Sequence, residues 1–192
     1  MKSAVKIICI GALACALIAG GFADALAQKK KRARKERSSS CSAGATTVLA
    51  RYKVEKGEAL PAAIAKPLTR KPGNAVRGLE AVSNPGKGNC LACHHVAKLL
   101  AKVDESDPES VKTYGDHGEV GPPLNGVGGR YSQGELRMII VDPKQAFPDA
   151  DTIMPAYHRR KGLKDVAASC RNRVMLSAQT VEDIVAFLEQ LK

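Results

Sequence analysis

Residues 90–94 read Cys90-Leu91-Ala92-Cys93-His94. Two thiols separated by two residues on a helical turn can each add across one vinyl group of a haem, and the adjacent His then faces the iron. Two other uses of such a pair fail on context. A thioredoxin-like dithiol needs a βαβ frame, and the chain has no alternating strand pattern of useful length. A zinc site needs further Cys and His in pairs; His95 is merely adjacent, while His117, His158 and Cys170 are scattered. The motif therefore predicts one covalent haem c on Cys90 and Cys93, with His94 as an axial ligand of the iron. A haem also explains the composition: only 4% of the 192 residues are aromatic, too few rings for a core of this size unless a macrocycle fills it.

Outward from the motif, the pattern is helical. Asn74 is placed to cap a helix with Val76, Leu79 and Val82 on one side, broken near Asn84-Pro85-Gly86. A further turn of helix is expected over Cys90 to Leu100. Residues 115–130, GDHGEVGPPLNGVGGR, hold six glycines and read as a long loop. Ser132 caps a short helix with Leu136, Ile139 and Ile140, stopped by Asp142-Pro143. In the last element, Ser177 starts a helix with Val181, Ile184, Val185, Leu188 and Leu191 at helical spacing. The fold class is all-α, a small helical domain with long loops and no internal repeat.

The second axial position has candidates in Met138, Met154, Met175, His95, His117 and His158. Met138 lies in an apolar helical stretch and Met175 precedes the last cap, both positions typical of core. His95 neighbours the proximal ligand and cannot reach across. Met154 sits in Asp151-Thr152-Ile153-Met154-Pro155-Ala156-Tyr157, where Pro155 restricts the backbone, and follows His94 by 60 residues. That is enough chain to wrap the far face, so Met154 is the expected ligand and His158 its main rival. A thioether opposite an imidazole favours ferrous iron and raises the potential, which suits electron transfer.

The N-terminal quarter is different in kind. Lys2 and Lys6 precede the apolar run Ile7 to Gly21, which ends at Ala25-Leu26-Ala27. The run falls short of the ~20 residues a membrane span needs. Residues 1–27 are therefore read as a signal peptide cleaved before Gln28, and the mature chain as periplasmic with no transmembrane span. The formal net charge of +11 would ordinarily suggest nucleic acid. Export removes that partner, and the charge is local: Lys29 to Arg37 holds seven basic residues and one acid. Residues 28–48 read as a basic arm and flexible linker, 49–72 as an extended strap with Pro61, Pro67 and Pro72, and 73–192 as the helical domain.

The loop Gly121-Pro122-Pro123-Leu124 with Gly126 and Gly129-Arg130 resembles that of class I cytochromes c. By that resemblance the Pro122 carbonyl would accept the Nδ1 hydrogen of His94, Arg130 would approach a haem propionate, and Gly78 would let the first helix cross the last near Phe187. More narrowly, GNCLACH, GPPLNGVGGRYSQGELRMIIVDPKQAFPDADTIMPAYH and LSAQTVEDIVAFL resemble the SoxX family of mono-haem cytochromes. The resemblance runs from about Tyr52 to Lys192, strap included. It implies an electron-transfer subunit of a complex that couples thiosulfate oxidatively to a cysteine. The implied partners are a SoxA-like cytochrome subunit, a SoxYZ-like carrier protein and a small cytochrome c as acceptor. It implies no catalytic residue in this chain. An independent electron-shuttle cytochrome c is the alternative.

Signal removal takes Cys9 and Cys15, and the haem would take Cys90 and Cys93. Cys41 and Cys170 remain, an even pair in an oxidising compartment. A disulfide between them would pin the N-terminal segment ahead of the last helix; free thiols, a link to a partner and an unusual iron ligand are the other possibilities.

Overall fold

In the computed structural model, Cys41, residues 44–162 and residues 168–192 are described. The signal peptide and basic arm expected from the sequence lie outside the described residues. Among the described residues the regular structure is helical: α1 (Ala75–Ser83), α2 (Ala97–Leu100), α3 (Pro108–Tyr114), α4 (Val127–Arg130), α5 (Gln133–Val141), α6 (Pro143–Ala146) and α7 (Ala178–Leu188). Isolated bridges at Thr46–Val174 and Glu55–Ala63 are the β pairing present among them.

Side chains start the principal helices as expected. The Asn74 side chain accepts the Arg77 N–H at 3.0 Å, and Ser177 Oγ accepts that of Thr180 at 3.1 Å. Ser132 and Glu135 form a reciprocal capping box on α5. α1 meets α7 at Gly78, where a Cβ would run into the Asp183 carbonyl oxygen and come within 2.8 Å of the Phe187 Cβ. Only glycine permits that approach. The crossing turns Gly78, Ala81 and Val82 inward, so Val76, expected on the apolar side, points away and is 76% exposed.

Two local expectations are corrected. The helix expected over Cys90 to Leu100 is a 3-10 turn, Cys90–Ala92, and then the separate α2. Between them the carbonyls of Leu91, Cys93 and His95 accept hydrogen bonds from the amides of Gly118, Gly121 and Leu124 at 2.7, 2.7 and 2.9 Å. The glycine-rich loop thus takes acceptors that a continuous helix would use itself. That loop is also interrupted by α4, and the helix α3, capped by Asp107 with Pro108 at its first turn, stands before it.

The strap has no sheet to join, and buried charged side chains satisfy its backbone. Glu135 Oε1 accepts the amides of Ala59 and Leu60 at 2.6 and 2.8 Å. Arg137, 1% exposed, donates to the Ile64 carbonyl at 2.7 Å and forks onto Glu182 at 2.8 and 3.1 Å. Glu182 in turn accepts the Leu68 amide at 2.8 Å. Between these anchors Leu60, Ala62, Ala63 and Ile64 enter the core. Each anchor removes an orphan backbone group that burial would otherwise penalise.

The start of the described chain is fastened as well. Thr46 and Val174 exchange backbone hydrogen bonds of 3.0 and 2.8 Å, and Cys41 is disulfide-bonded to Cys170 with a Cα–Cα distance of 5.3 Å. The bridge spans 129 residues; loops of that order contribute roughly 2–5 kcal/mol by restricting the unfolded chain.

Candidate functional site

The loop pairing described above presents Cys90, Cys93 and His94 together. Gly121 lies against the His94 ring, close enough that a Cβ there would strike Cε1 and Nδ1. With the loop seated, His94 Nδ1–H donates to the Pro122 carbonyl at 2.7 Å. That bond sets the tautomer and leaves the Nε2 lone pair free to coordinate a metal. Pro122 therefore stands where the resemblance puts it. The Arg130 guanidinium donates to the carbonyls of Asn125 at 2.6 Å and Pro123 at 3.3 Å, clamping the same loop.

Cys90 and Cys93 are free thiols, whereas Cys41 and Cys170 are bonded to each other. Burial, with the neighbouring Cys93, pushes the Cys90 thiol up to about 12. No cluster of three or more His, Cys, Asp or Glu able to hold a metal ion occurs among the described residues. Two sulfurs two residues apart, neither in a disulfide, fit thioether attachment.

Met154 is half-buried in its loop and packs on the core, as do Cys90, Leu124, Tyr131 and Ile139. Its amide is held by Thr152 Oγ1 at 3.2 Å. Of its rivals, His158 is hydrogen-bonded at both ring nitrogens, whereas His117 Nε2 is buried without a hydrogen-bond partner among the described residues. His158 is 0% exposed; Nδ1–H donates to the Leu176 carbonyl at 2.8 Å and Nε2 accepts the Ala50 amide at 3.0 Å. His158 thus ties the strap, through Ala50, to the segment before the last helix, through Leu176, and burial, outweighing its hydrogen bond to Leu176, lowers its pKa. Met138 is 0% exposed within α5. His117 accepts the Val96 amide through Nδ1 at 3.2 Å and meets His95 edge to face at 5.7 Å.

Sequence reasoning missed Tyr157. It is 8% exposed, its hydroxyl donates to the Gly88 carbonyl at 2.9 Å, and its amide donates to the Ile140 carbonyl at 3.1 Å. The available signal was its place three residues after Met154, a polar-tipped ring in a chain with 4 Tyr and 3 Phe.

The cytochrome c family model matches residues 77–192. The chain belongs to the cytochrome c family. A covalent haem c is thereby implied, and the residues that fit it are the two free thiols and the oriented imidazole. A solved structure of SoxXA from P. pantotrophus is similar at 32% identity and a TM-score of 0.55, over 68% of this cytochrome and 90% of that chain. This agrees with the SoxX resemblance of the sequence. No curated protein matches.

Proposed function

We propose that this cytochrome is the electron-transfer subunit of a periplasmic SoxXA-like complex. That complex would couple thiosulfate oxidatively to a cysteine of a SoxYZ-like carrier and release two electrons. The chain would receive them singly from a SoxA-like partner and pass them to a small soluble cytochrome c. The carrying observation is the likeness to SoxXA, which covers 90% of that chain and 68% of this one.

The bound haem supplies a one-electron ferric/ferrous couple. The protein's own groups hold and orient: Cys90 and Cys93 as thioether attachments, His94 through the Pro122 carbonyl, and Met154 from the loop anchored by Tyr157. Outside Cys90 and Cys93, the cysteines among the described residues are locked in the Cys41–Cys170 disulfide. This supports leaving the sulfur chemistry to the partner and carrier.

Co-expression of the full chain with a SoxA-like protein tests the reading. A stable heterodimer is expected on co-purification; a chain that stays monomeric rejects the complex and leaves the independent shuttle. Ligation has its own test. The long-wavelength thioether-to-ferric band should be present in the wild type and absent in Met154→Ala, and its survival in the variant rejects Met154.

A further inference from the structure

A cleft of about 390 Å³ opens between strap residues Leu49 and Tyr52 and the segment His158–Lys161, closed on another side by Asn172. No carboxylate lines it, and none of Cys90, Cys93, His94 or Met154 does. Its three cations differ in how they are satisfied. Arg159 is paired at 2.8 Å with Asp142, whose side chain is 1% exposed, so that charge is met from beneath. Arg160 donates to a neutral group, the Thr47 carbonyl, at 3.0 Å. Among the described residues neither Arg160 nor Lys161 makes an ion pair.

The neighbouring sequence is basic too, residues 163–167 of it lying outside the described residues. Ser38 to Lys192 carries 21 basic and 17 acidic residues, a net +4; residues 158–173 alone carry six basic and one acidic, a net +5. The rest of that stretch is slightly acidic. A cleft holding two cations that make no ion pair among the described residues, with Leu49 and Tyr52 on its wall, suits carboxylates borne on aliphatic stems. At about 390 Å³ it lies within the range of ligand pockets and exceeds what one tetrahedral oxyanion fills.

We propose that this cleft is a docking site for an acidic segment of a partner protein, with carboxylates bridging Arg160 and Lys161. The site is independent of the redox reading, since it uses none of the residues assigned to the haem.

The test uses the haem-loaded, secreted protein and fluorophore-labelled hexaglutamate, read by anisotropy at low salt. Hexaglutamate is expected to bind and neutral hexaglutamine not to bind. The pair Arg160→Ser and Lys161→Ser should weaken binding by about tenfold or more. The charge-matched exposed pair Lys98→Ser and Lys102→Ser should change it by less than about twofold. The reversed pair Arg160→Glu and Lys161→Glu should bind hexalysine instead. Equal weakening by the two serine pairs overturns the proposal, because net charge alone would then explain binding. Displacement of the peptide by inorganic sulfate at the same concentration also overturns it, since the cleft would then be a small-anion site.

Discussion

The hydroxyl of Tyr157 donates a 2.9 Å hydrogen bond to the carbonyl of Gly88. One side chain thereby joins the loop that carries Met154 to the turn that carries Cys90. Burial, followed by the nearby Cys90 and Cys93 thiols, raises the phenol's pKa further, so it stays a donor across the working pH range. Tyr157→Phe keeps the ring and orphans a buried carbonyl. The expected loss is about 1–2 kcal/mol, seen as a Tm lower by a few degrees. An unchanged Tm would mean that the bond adds nothing net.

The α1–α7 crossing predicts opposite behaviour for two glycines. Gly78→Ala places a methyl against the Asp183 carbonyl and Phe187, and backbone cannot yield as a flexible side chain does. A cost of about 3 kcal/mol is expected in urea unfolding. Gly129→Ala meets nothing within 4 Å and should stay within about 0.5 kcal/mol of wild type. Similar costs at the two sites would contradict the packing described.

Glu182→Gln isolates the charge of the strap's main anchor. The amide can still accept from the Leu68 N–H, but Arg137, 1% exposed, loses its counter-ion. Roughly 3 kcal/mol of destabilisation is expected, the scale for breaking a buried pair from one side. Tryptic cleavage after Arg70 should accelerate in parallel, Lys66 and Lys71 being protected by the prolines that follow them, and a variant with wild-type cleavage would show the strap to be held by its apolar residues alone.

His158 predicts a pH dependence. Its pKa is lowered in the folded protein by burial, so the unfolded chain takes up a proton first as pH falls below the ordinary value of about 6.5. Stability is therefore full above that pH and declines below it, by at most ~1.4 kcal/mol per pH unit, until the folded-state pKa is passed. His117, also lowered by burial and by His95, titrates in the same window. The share due to His158 is the slope that vanishes in His158→Gln, measured by denaturation between pH 7 and pH 5. An unaltered slope would assign the effect to His117.

The helical frame was legible because it rests on local chemistry: Asn74, Ser132 and Ser177 cap the helices they begin. The attachment site was legible for the same reason, being contiguous. Asp107-Pro108-Glu109 is also a helix start, and α3 went unread because its turn buries no residue and so shows no apolar stripe. The strap's anchoring was illegible on different grounds. Glu135, Arg137 and Glu182 look like solvent-facing helix residues until the partners 75, 73 and 114 positions away are known. His158 shows the same limit: a histidine four residues after a methionine looks like a ligand, and only the Ala50 amide reveals a structural role.

The strap's dependence on distant side chains has a consequence for how the molecule is made. Synthesis delivers Leu68 of the strap 114 residues before the Glu182 that secures it, so the domain can close on that segment only after the last helix has been made. Cys41 shares that wait, because Cys90 and Cys93 are made long before Cys170, its eventual partner. For an extended interval three thiols coexist, and a premature bond from Cys41 to either of the others would spoil both sites at once. Correct pairing thus requires that Cys41 be kept from Cys90 and Cys93 until Cys170 has been made.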